Sequence, residues 1–263
     1  MKKYLVIGNP INHSLSPKLH NYWIKQNQID AIYDKAKLNP NQLEDLILKV
    51  REKKIDGINI TVPFKTTVIP YLDQLSREAE KTKSVNTIYF KNNKVFGHNT
   101  DIDGFEKAIN KINFKVSEKK IFILGAGGVV PSIVYALNKM GAINISISNR
   151  TKAKAQMVKD IFNNLKIIDW GDVPEFDVII NATSLGLNKD DKIELNFSSL
   201  GKDKLFYDVI YNPSETNFLK IGKKLGNKCE NGKFMFIYQA FSAFKLWHNV
   251  DPIINNETIK LLD

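Results

Sequence analysis

Residues 119–128 read KKIFILGAGG, and this stretch decides how the chain is built. Two lysines precede four apolar residues, Ile121 to Leu124, which have the run length and side chains of a strand buried on both faces. Gly125-Ala126-Gly127-Gly128 follows, and residues 129–140 then carry apolar groups at helical spacing. Strand, glycine turn and helix in immediate succession define the opening of a βαβ unit. The same rhythm continues outward. INISIS is a strand, 151–164 a helix, KIIDW and DVIINAT are strands, and LFYDVI closes the series. Backwards from residue 119, strands are expected at 3–8, 31–38 and 55–61, with helices at 17–27 and 41–54. In the latter, Leu43, Leu46, Ile47 and Val50 recur at helical spacing. Short helices are expected around 65–73 and 76–83. Strands at 85–90 and 94–98 flank Asn92-Asn93, a turn signal that predicts a hairpin. The fold class is therefore α/β with mainly parallel sheets.

Two domains are expected. An N-terminal α/β domain covers 1–102 and a Rossmann-type domain covers 103–235, entered through the helix DGFEKAINKI. The apolar helices FMFIYQAFSAFKLW and ETIKLL have no following strand, and 236–263 is expected to return to the first domain. With 263 residues there is ample material for both cores.

Composition narrows the function classes. The formal net charge is +10, yet of 38 basic residues only Arg51, Arg77 and Arg150 are arginines, and no basic block occurs. Nucleic-acid readers lean on arginine forks and stacking aromatics, so nucleic acid is not an expected partner. No run approaches the ~20 apolar residues of a membrane span, and MKKYLVIGNP lacks the long apolar core of a signal peptide. The single cysteine, Cys229, excludes an intrachain disulfide and fits a reduced, cytoplasmic protein. Four histidines without ligand spacing point to no metal.

The glycine turn lets a pyrophosphate approach the backbone at a helix N-terminus. Val130 stands where Gly or Ala is usual, and Pro131 is tolerated in a first helical turn. An NAD site would carry an acidic residue about 20 positions on. The second strand ends instead in Ser148-Asn149-Arg150-Thr151, with Lys152 and Lys154 behind it. A guanidinium suits a 2′-phosphate, which favours NADP over NAD. Asn149 and Thr151 also read as turn and cap residues.

Polar groups gather at strand ends in the first half. Asn59, Thr61 and Lys65 lie in NITVPFK, Asn86 precedes a strand, and Asp101 follows GHNT. Ser14 and Ser16 open a helix at Pro17, where Ser16 is expected to cap while both hydroxyls receive a small anion. Together these groups suit a small polyhydroxy acid.

SLSP (14–17), NITVPFK (59–65), VNTI (85–88), GHNTDIDGF (97–105), GAGG (125–128), NRT (149–151), NATSLG (181–186), YDVIYNP (207–213) and the late Gln239 occur in an order that resembles the shikimate dehydrogenase family over nearly the whole chain. The resemblance implies NADPH-dependent reduction of 3-dehydroshikimate to shikimate, on the route to chorismate and aromatic amino acids. It also implies a small-molecule enzyme, monomeric or homodimeric. By matching motif positions, Ser14 and Ser16 would hold the substrate carboxylate. Asn59, Thr61, Asn86, Tyr211 and Gln239 would contact its hydroxyls or ring. Gly125, Ala126, Gly127, Gly128, Val129, Asn149, Arg150, Thr151, Lys154, Thr183, Val209 and Gly232 would line NADP. Lys65 and Asp101 would form the catalytic pair at the C3 oxygen, the proton not being divided between them. Two departures stand out: Val129-Val130-Pro131 replaces small residues after the glycines, and Phe234 replaces a small residue expected on the nicotinamide side. The rival readings are a quinate/shikimate dehydrogenase using NAD, and a non-catalytic relative that only binds the metabolite.

Overall fold

A computed structural model describes residues 1–188, 190–197 and 201–263. The chain forms two compact units, Met1–Gly104 with Ile237–Asp263, and Phe105–Phe236. The division falls inside two helices, α5 (Asp101–Lys111) and α9 (Lys233–His248), one to two residues past the boundaries expected from the sequence.

The first unit is built on a six-stranded sheet. Its strands are β1 (Lys2–Gly8), β2 (Ala31–Lys37), β3 (Gly57–Ile60), β4 (Gln74–Leu75), β5 (Thr87–Lys91) and β6 (Lys94–His98), in the order β2-β1-β3-β5-β6-β4. The sheet is mixed: β1, β2 and β3 are parallel, but β5 runs antiparallel to both β3 and β6. The hairpin at Asn92-Asn93 makes β6 antiparallel to β5, while the reversal between β3 and β5 is made by the connection over residues 61–86. Both asparagines adopt positive φ (50° and 56°), the geometry of a two-residue turn that matches strand twist. β4, two residues long, gave no periodic signal.

Helix α1 (Ser16–Gln26) buries Leu19, His20, Trp23 and Ile24 on one face. Ser16 is its first residue rather than its cap. The cap position is Leu15, without a side-chain cap bond, so the capping role expected of Ser16 is not observed; the Ser14 hydroxyl accepts from the Ser16 N–H at 3.3 Å, just outside the cap. The helix expected over 41–54 resolves into a 3₁₀ turn at Pro40–Gln42 and α2 (Leu43–Arg51). The stretch at 65–73 becomes α3 (Phe64–Thr67) and a second 3₁₀ turn, and α4 (Arg77–Thr82) follows, capped by Ser76. From Ile237 onward α9 packs within this unit. The Trp247 indole donates to Ile88 O at 3.1 Å and lies so close to Gly57 that a Cβ there would meet its ring at 2.4 Å. The closing helix, α10, is Asn256–Lys260.

The second unit holds β7 (Lys120–Leu124), β8 (Asn144–Ser148), β9 (Leu165–Ile167), β10 (Val178–Asn181), β11 (Leu205–Asp208) and β12 (Lys228–Glu230). All pair in parallel, in the order β12-β11-β10-β7-β8-β9. This is the doubly wound order of dinucleotide-binding folds, with its switch point between β7 and β10. Helices α6 (Val130–Lys139) and α7 (Lys152–Ile161) connect the first three strands. LFYDVI does not close the sheet: α8 (Asn217–Lys224) and β12 add a sixth strand beyond it.

Candidate active site

In the first unit the strand order itself gathers the polar groups. Because β5 is antiparallel to β3 and β6, its start lies beside the ends of both. Asn86, immediately before β5, accepts through its carbonyl from Ile60 N at 2.8 Å and donates its N–H to His98 O at 3.0 Å. Lys65 follows β3 on α3, and Asp101 follows β6 as the first residue of α5. Lys65 and Asp101 are 7% and 5% exposed, so an unpaired charge on either would be severely penalised. The Lys65 ammonium pairs with Asp101 Oδ2. The second carboxylate oxygen, Oδ1, accepts from Asn86 Nδ2 at 2.9 Å, so both oxygens have donors. The position of Asp101 in the first turn of an eleven-residue helix adds a favourable dipole.

Asn86 is the hub of this cluster. Its Oδ1 accepts from Thr100 N at 2.7 Å and from the Thr87 hydroxyl at 3.0 Å, and its Nδ2 also reaches Thr100 Oγ1 and, at 3.4 Å, Gln239 Oε1. Asn59, also buried, donates to Asn86 O and to Thr87 Oγ1, each at 3.1 Å. Thr61 closes the turn into α3, its carbonyl accepting from Phe64 N at 2.9 Å. Lys65, Asp101, Asn59, Asn86 and Gln239 are thus joined by hydrogen bonds, whereas Ser14 and Ser16 are bonded to one another and not into this network. The buried Tyr33 phenol donates to Asn59 Oδ1 at 2.6 Å and is not among the residues expected at the site. Thr87 and Thr100, which stand in the quoted motifs without an expected role, both donate to Asn86 Oδ1.

The second unit collects the remaining expected residues around the switch point. Gly125 has φ +105°, and a Cβ there would lie 2.7 Å from Ala182 O, so this position admits only glycine. Its N–H donates to Ser148 O at 2.8 Å, tying the turn to the end of β8. A Cβ at Gly127, by contrast, would meet, among the described residues beyond its chain neighbours, only Ala182 O, at 4.0 Å. The turn therefore leaves room over Gly127 beside the start of α6, and Val130 is fully buried as the first residue of that helix.

At the end of β8, Asn149 Nδ2 donates to Thr151 O at 2.8 Å, a turn role, while Thr151 stands at the α7 cap position without a side-chain cap bond. Lys152 pairs with Asp169 at 2.6 Å. Arg150 and Lys154 have no carboxylate partner among the described residues. This exposed, unneutralised pair of cations suits a phosphate monoester.

Thr183 donates through both N and Oγ1 to Asn181 Oδ1, at 3.1 and 2.7 Å. Asn181 in turn donates through Nδ2 to Asp208 Oδ1 at 3.1 Å, and its carbonyl accepts from Val209 N at 3.0 Å. Asp208 also accepts from Ile210 N and, at 2.6 Å, from Thr216 Oγ1. Burial pushes its carboxyl up to about 6 despite these three donors. This network fixes the segments after β10 and β11. Gly232 approaches so closely that a Cβ would fall 2.1 Å from Val209 O. Tyr211 stacks on Phe236 with centroids 4.4 Å apart, and Lys111 Nζ lies 4.6 Å from the Phe234 ring centroid. Asn181, Asp208 and Thr216 were not selected from sequence, though the first two lie inside quoted motifs.

A doubly wound parallel sheet with this glycine turn, following a domain that buries a lysine–aspartate pair, defines a nicotinamide-dependent oxidoreductase of small polar substrates. Two family models match in succession: the shikimate dehydrogenase substrate binding domain over residues 6–88, and shikimate / quinate 5-dehydrogenase over 106–208. A shikimate dehydrogenase (NADP(+)) of Pelagibacter ubique is 56% identical over 100% of this chain and 99% of its own. A shikimate dehydrogenase structure from Aquifex aeolicus superposes with a TM-score of 0.90 at 36% identity, covering 100% of this chain and 97% of its own. One from Thermus thermophilus in complex with NADP(H) and shikimate gives 0.89 at 28% identity, covering 100% and 98%. The chain belongs to the shikimate dehydrogenase family.

Proposed function

We propose that this chain catalyses the reversible NADPH-dependent reduction of 3-dehydroshikimate to shikimate, with Lys65 and Asp101 handling the proton at the C3 oxygen. The observation that carries this reading is the buried Lys65–Asp101 pair, held on its second carboxylate oxygen by Asn86. The full-length similarity to an NADP(+)-dependent shikimate dehydrogenase supports the reaction and its cofactor.

NADPH, when bound, supplies the hydride that the C3 carbon receives. As that carbonyl becomes an alcohol, its oxygen gains negative charge and then a proton. The Lys65 ammonium offers both a cation for the charge and the proton itself. Asp101 aims that ammonium and keeps it paired while the site is desolvated. In the opposite direction the pair accepts the hydroxyl proton. Ser14 and Ser16 bind the carboxylate, while Asn59, Thr61, Asn86, Gln239 and Tyr211 read the ring hydroxyls. The glycine turn at Gly125, Ala126, Gly127, Gly128 and Val129 receives the pyrophosphate, and the room over Gly127 fits that group. Asn149, Arg150, Thr151 and Lys154 take the 2′-phosphate, and Thr183, Val209 and Gly232 line the nicotinamide end. No described helix is long and apolar enough to cross a membrane, and we assign the reaction to the cytoplasm.

The test is NADPH formation followed by absorbance with shikimate and NADP⁺, for the wild type and Lys65→Ala. Turnover largely lost in the variant supports the reading. Binding of shikimate without turnover by the wild type would instead favour a metabolite-binding protein, and equal turnover by both would remove Lys65 from the mechanism.

A further inference from the structure

Tyr33 lies on β2, the edge strand of the first unit, and is 1% exposed. Its phenol donates at 2.6 Å to Asn59 Oδ1, one of the groups assigned above to the substrate. Burial raises the phenol well above its ordinary range, so it stays protonated and remains a donor throughout the working pH range. The ring cannot swing. His20 stacks on it with centroids 4.2 Å apart and planes 5° from parallel, and Trp247 closes in at 6.0 Å. His20 is itself fully buried, with neither ring nitrogen hydrogen-bonded, and stays neutral because burial lowers it to about 3. It serves as a flat, uncharged spacer.

The hydrogen-bond inventory of Asn59 gives this contact a chemical consequence. Its amide has two N–H donors and one oxygen with two lone pairs. Both donors are engaged, one on Asn86 O and one on Thr87 Oγ1. A flipped amide would point its oxygen at the Asn86 carbonyl, which can only accept, so the orientation is settled by chemistry. Tyr33 occupies one lone pair of Oδ1. The group left over is a single acceptor site.

We infer that Tyr33 is a positioning residue of the substrate site: its hydroxyl pins Asn59, so that Asn59 meets the substrate only as an acceptor of one substrate hydroxyl. The inference rests on the proposed function, and it adds which atom of Asn59 is offered and what holds it there.

The experiment uses the full chain and follows NADPH formation from shikimate. Wild-type turnover tests the proposed function independently of what any variant does. Tyr33→Phe keeps the ring and removes only the donor. Its KM for shikimate should rise about tenfold, the worth of a single neutral hydrogen bond. Its kcat should stay within about threefold, its KM for NADP⁺ should be unchanged, and its melting temperature should shift by only a few degrees. In an Asn59→Ala background the same change should add less than about twofold, since coupled residues are non-additive. A folded Tyr33→Phe with an unchanged shikimate KM would overturn the inference, as would a parallel rise in the NADP⁺ KM or a full tenfold effect on top of Asn59→Ala. A second measurement does not depend on Tyr33→Phe folding. Among shikimate analogues lacking one ring hydroxyl, one should lose affinity for the wild type but lose nothing further with Asn59→Ala. If Asn59→Ala silences none of the deletions, Asn59 is not an acceptor of a substrate hydroxyl and the inference falls.

Discussion

Replacing Lys65 by methionine keeps most of the side-chain volume and removes the charge. Asp101, 5% exposed, would then hold a carboxylate with only Asn86 Nδ2 and the start of α5 to stabilise it. Opposite unit charges about 4 Å apart attract by about 4 kcal/mol at an effective dielectric near 20. Breaking one partner of a buried pair costs about 3–5 kcal/mol, because the other charge remains. At about 2–4 °C per kcal/mol for a chain of this size, the transition containing the first unit should fall by roughly 6–20 °C. Catalytically, losing a positioned acid–base group costs roughly 10²–10⁴-fold, and kcat should drop within that range. The double variant Lys65→Met/Asp101→Asn separates the two effects. With no charge left to bury, its melting temperature should recover at least half of the loss while kcat stays low. The assay is scanning calorimetry beside NADPH formation at saturating shikimate and NADP⁺. A Lys65→Met protein that melts as the wild type does, or keeps kcat within about tenfold, would refute the reasoning. So would a double variant no more stable than the single one.

Three other substitutions probe separate parts of the account. Arg150→Ala should raise the KM for NADP⁺ roughly 10–100-fold, the worth of a charge-assisted contact, while changing that for NAD⁺ less than about threefold; equal effects on both cofactors would place Arg150 away from the 2′-phosphate. Gly232→Ala puts a Cβ 2.1 Å from Val209 O, so the backbone must move, and NADP⁺ affinity measured by titration calorimetry should fall at least about tenfold. An unchanged affinity would show that Gly232 does not shape the nicotinamide end. His20 supplies a pH test. Burial lowers it to about 3 in the fold against about 6.5 unfolded, so its contribution is complete above pH 6.5 and is lost as pH falls toward 3. Over that window it amounts to about 4–5 kcal/mol. His20→Phe should therefore flatten the acid side of the stability profile, measured by urea unfolding at several pH values, and an unchanged slope would contradict the buried neutral imidazole.

What the sequence makes legible is what local chemistry determines. The GAGG turn can be read because Gly125 must take φ +105° against Ala182 O, and the hairpin because Asn92 and Asn93 tolerate positive φ. Asn59, Lys65, Asn86 and Asp101 are polar residues at strand ends, and the antiparallel placement of β5 brings them together. Other features depend on partners far along the chain. Tyr33 is 26 positions from Asn59, and its own strand shows nothing that marks the contact. Asp208 is bound to Asn181 and Thr216, 27 and 8 positions away, so its importance appears only once β10 and β11 are adjacent. The start of α1 departs from expectation because the serines at 14 and 16 both suit a cap, whereas the backbone puts Leu15 at that position. α8 carried a usable signal in Thr216, whose hydroxyl accepts from Leu219 N, but its eight residues hold too few apolar positions to establish a period.

The central claim is most directly tested by the initial rates of the wild-type protein with shikimate or quinate, each with NADP⁺ or NAD⁺. The account predicts that, for either substrate, NADP⁺ exceeds NAD⁺ by at least about tenfold in kcat/KM, because Arg150 selects the phosphorylated cofactor, and that shikimate with NADP⁺ turns over. NAD⁺ serving as well as NADP⁺, or no turnover of shikimate, would contradict it.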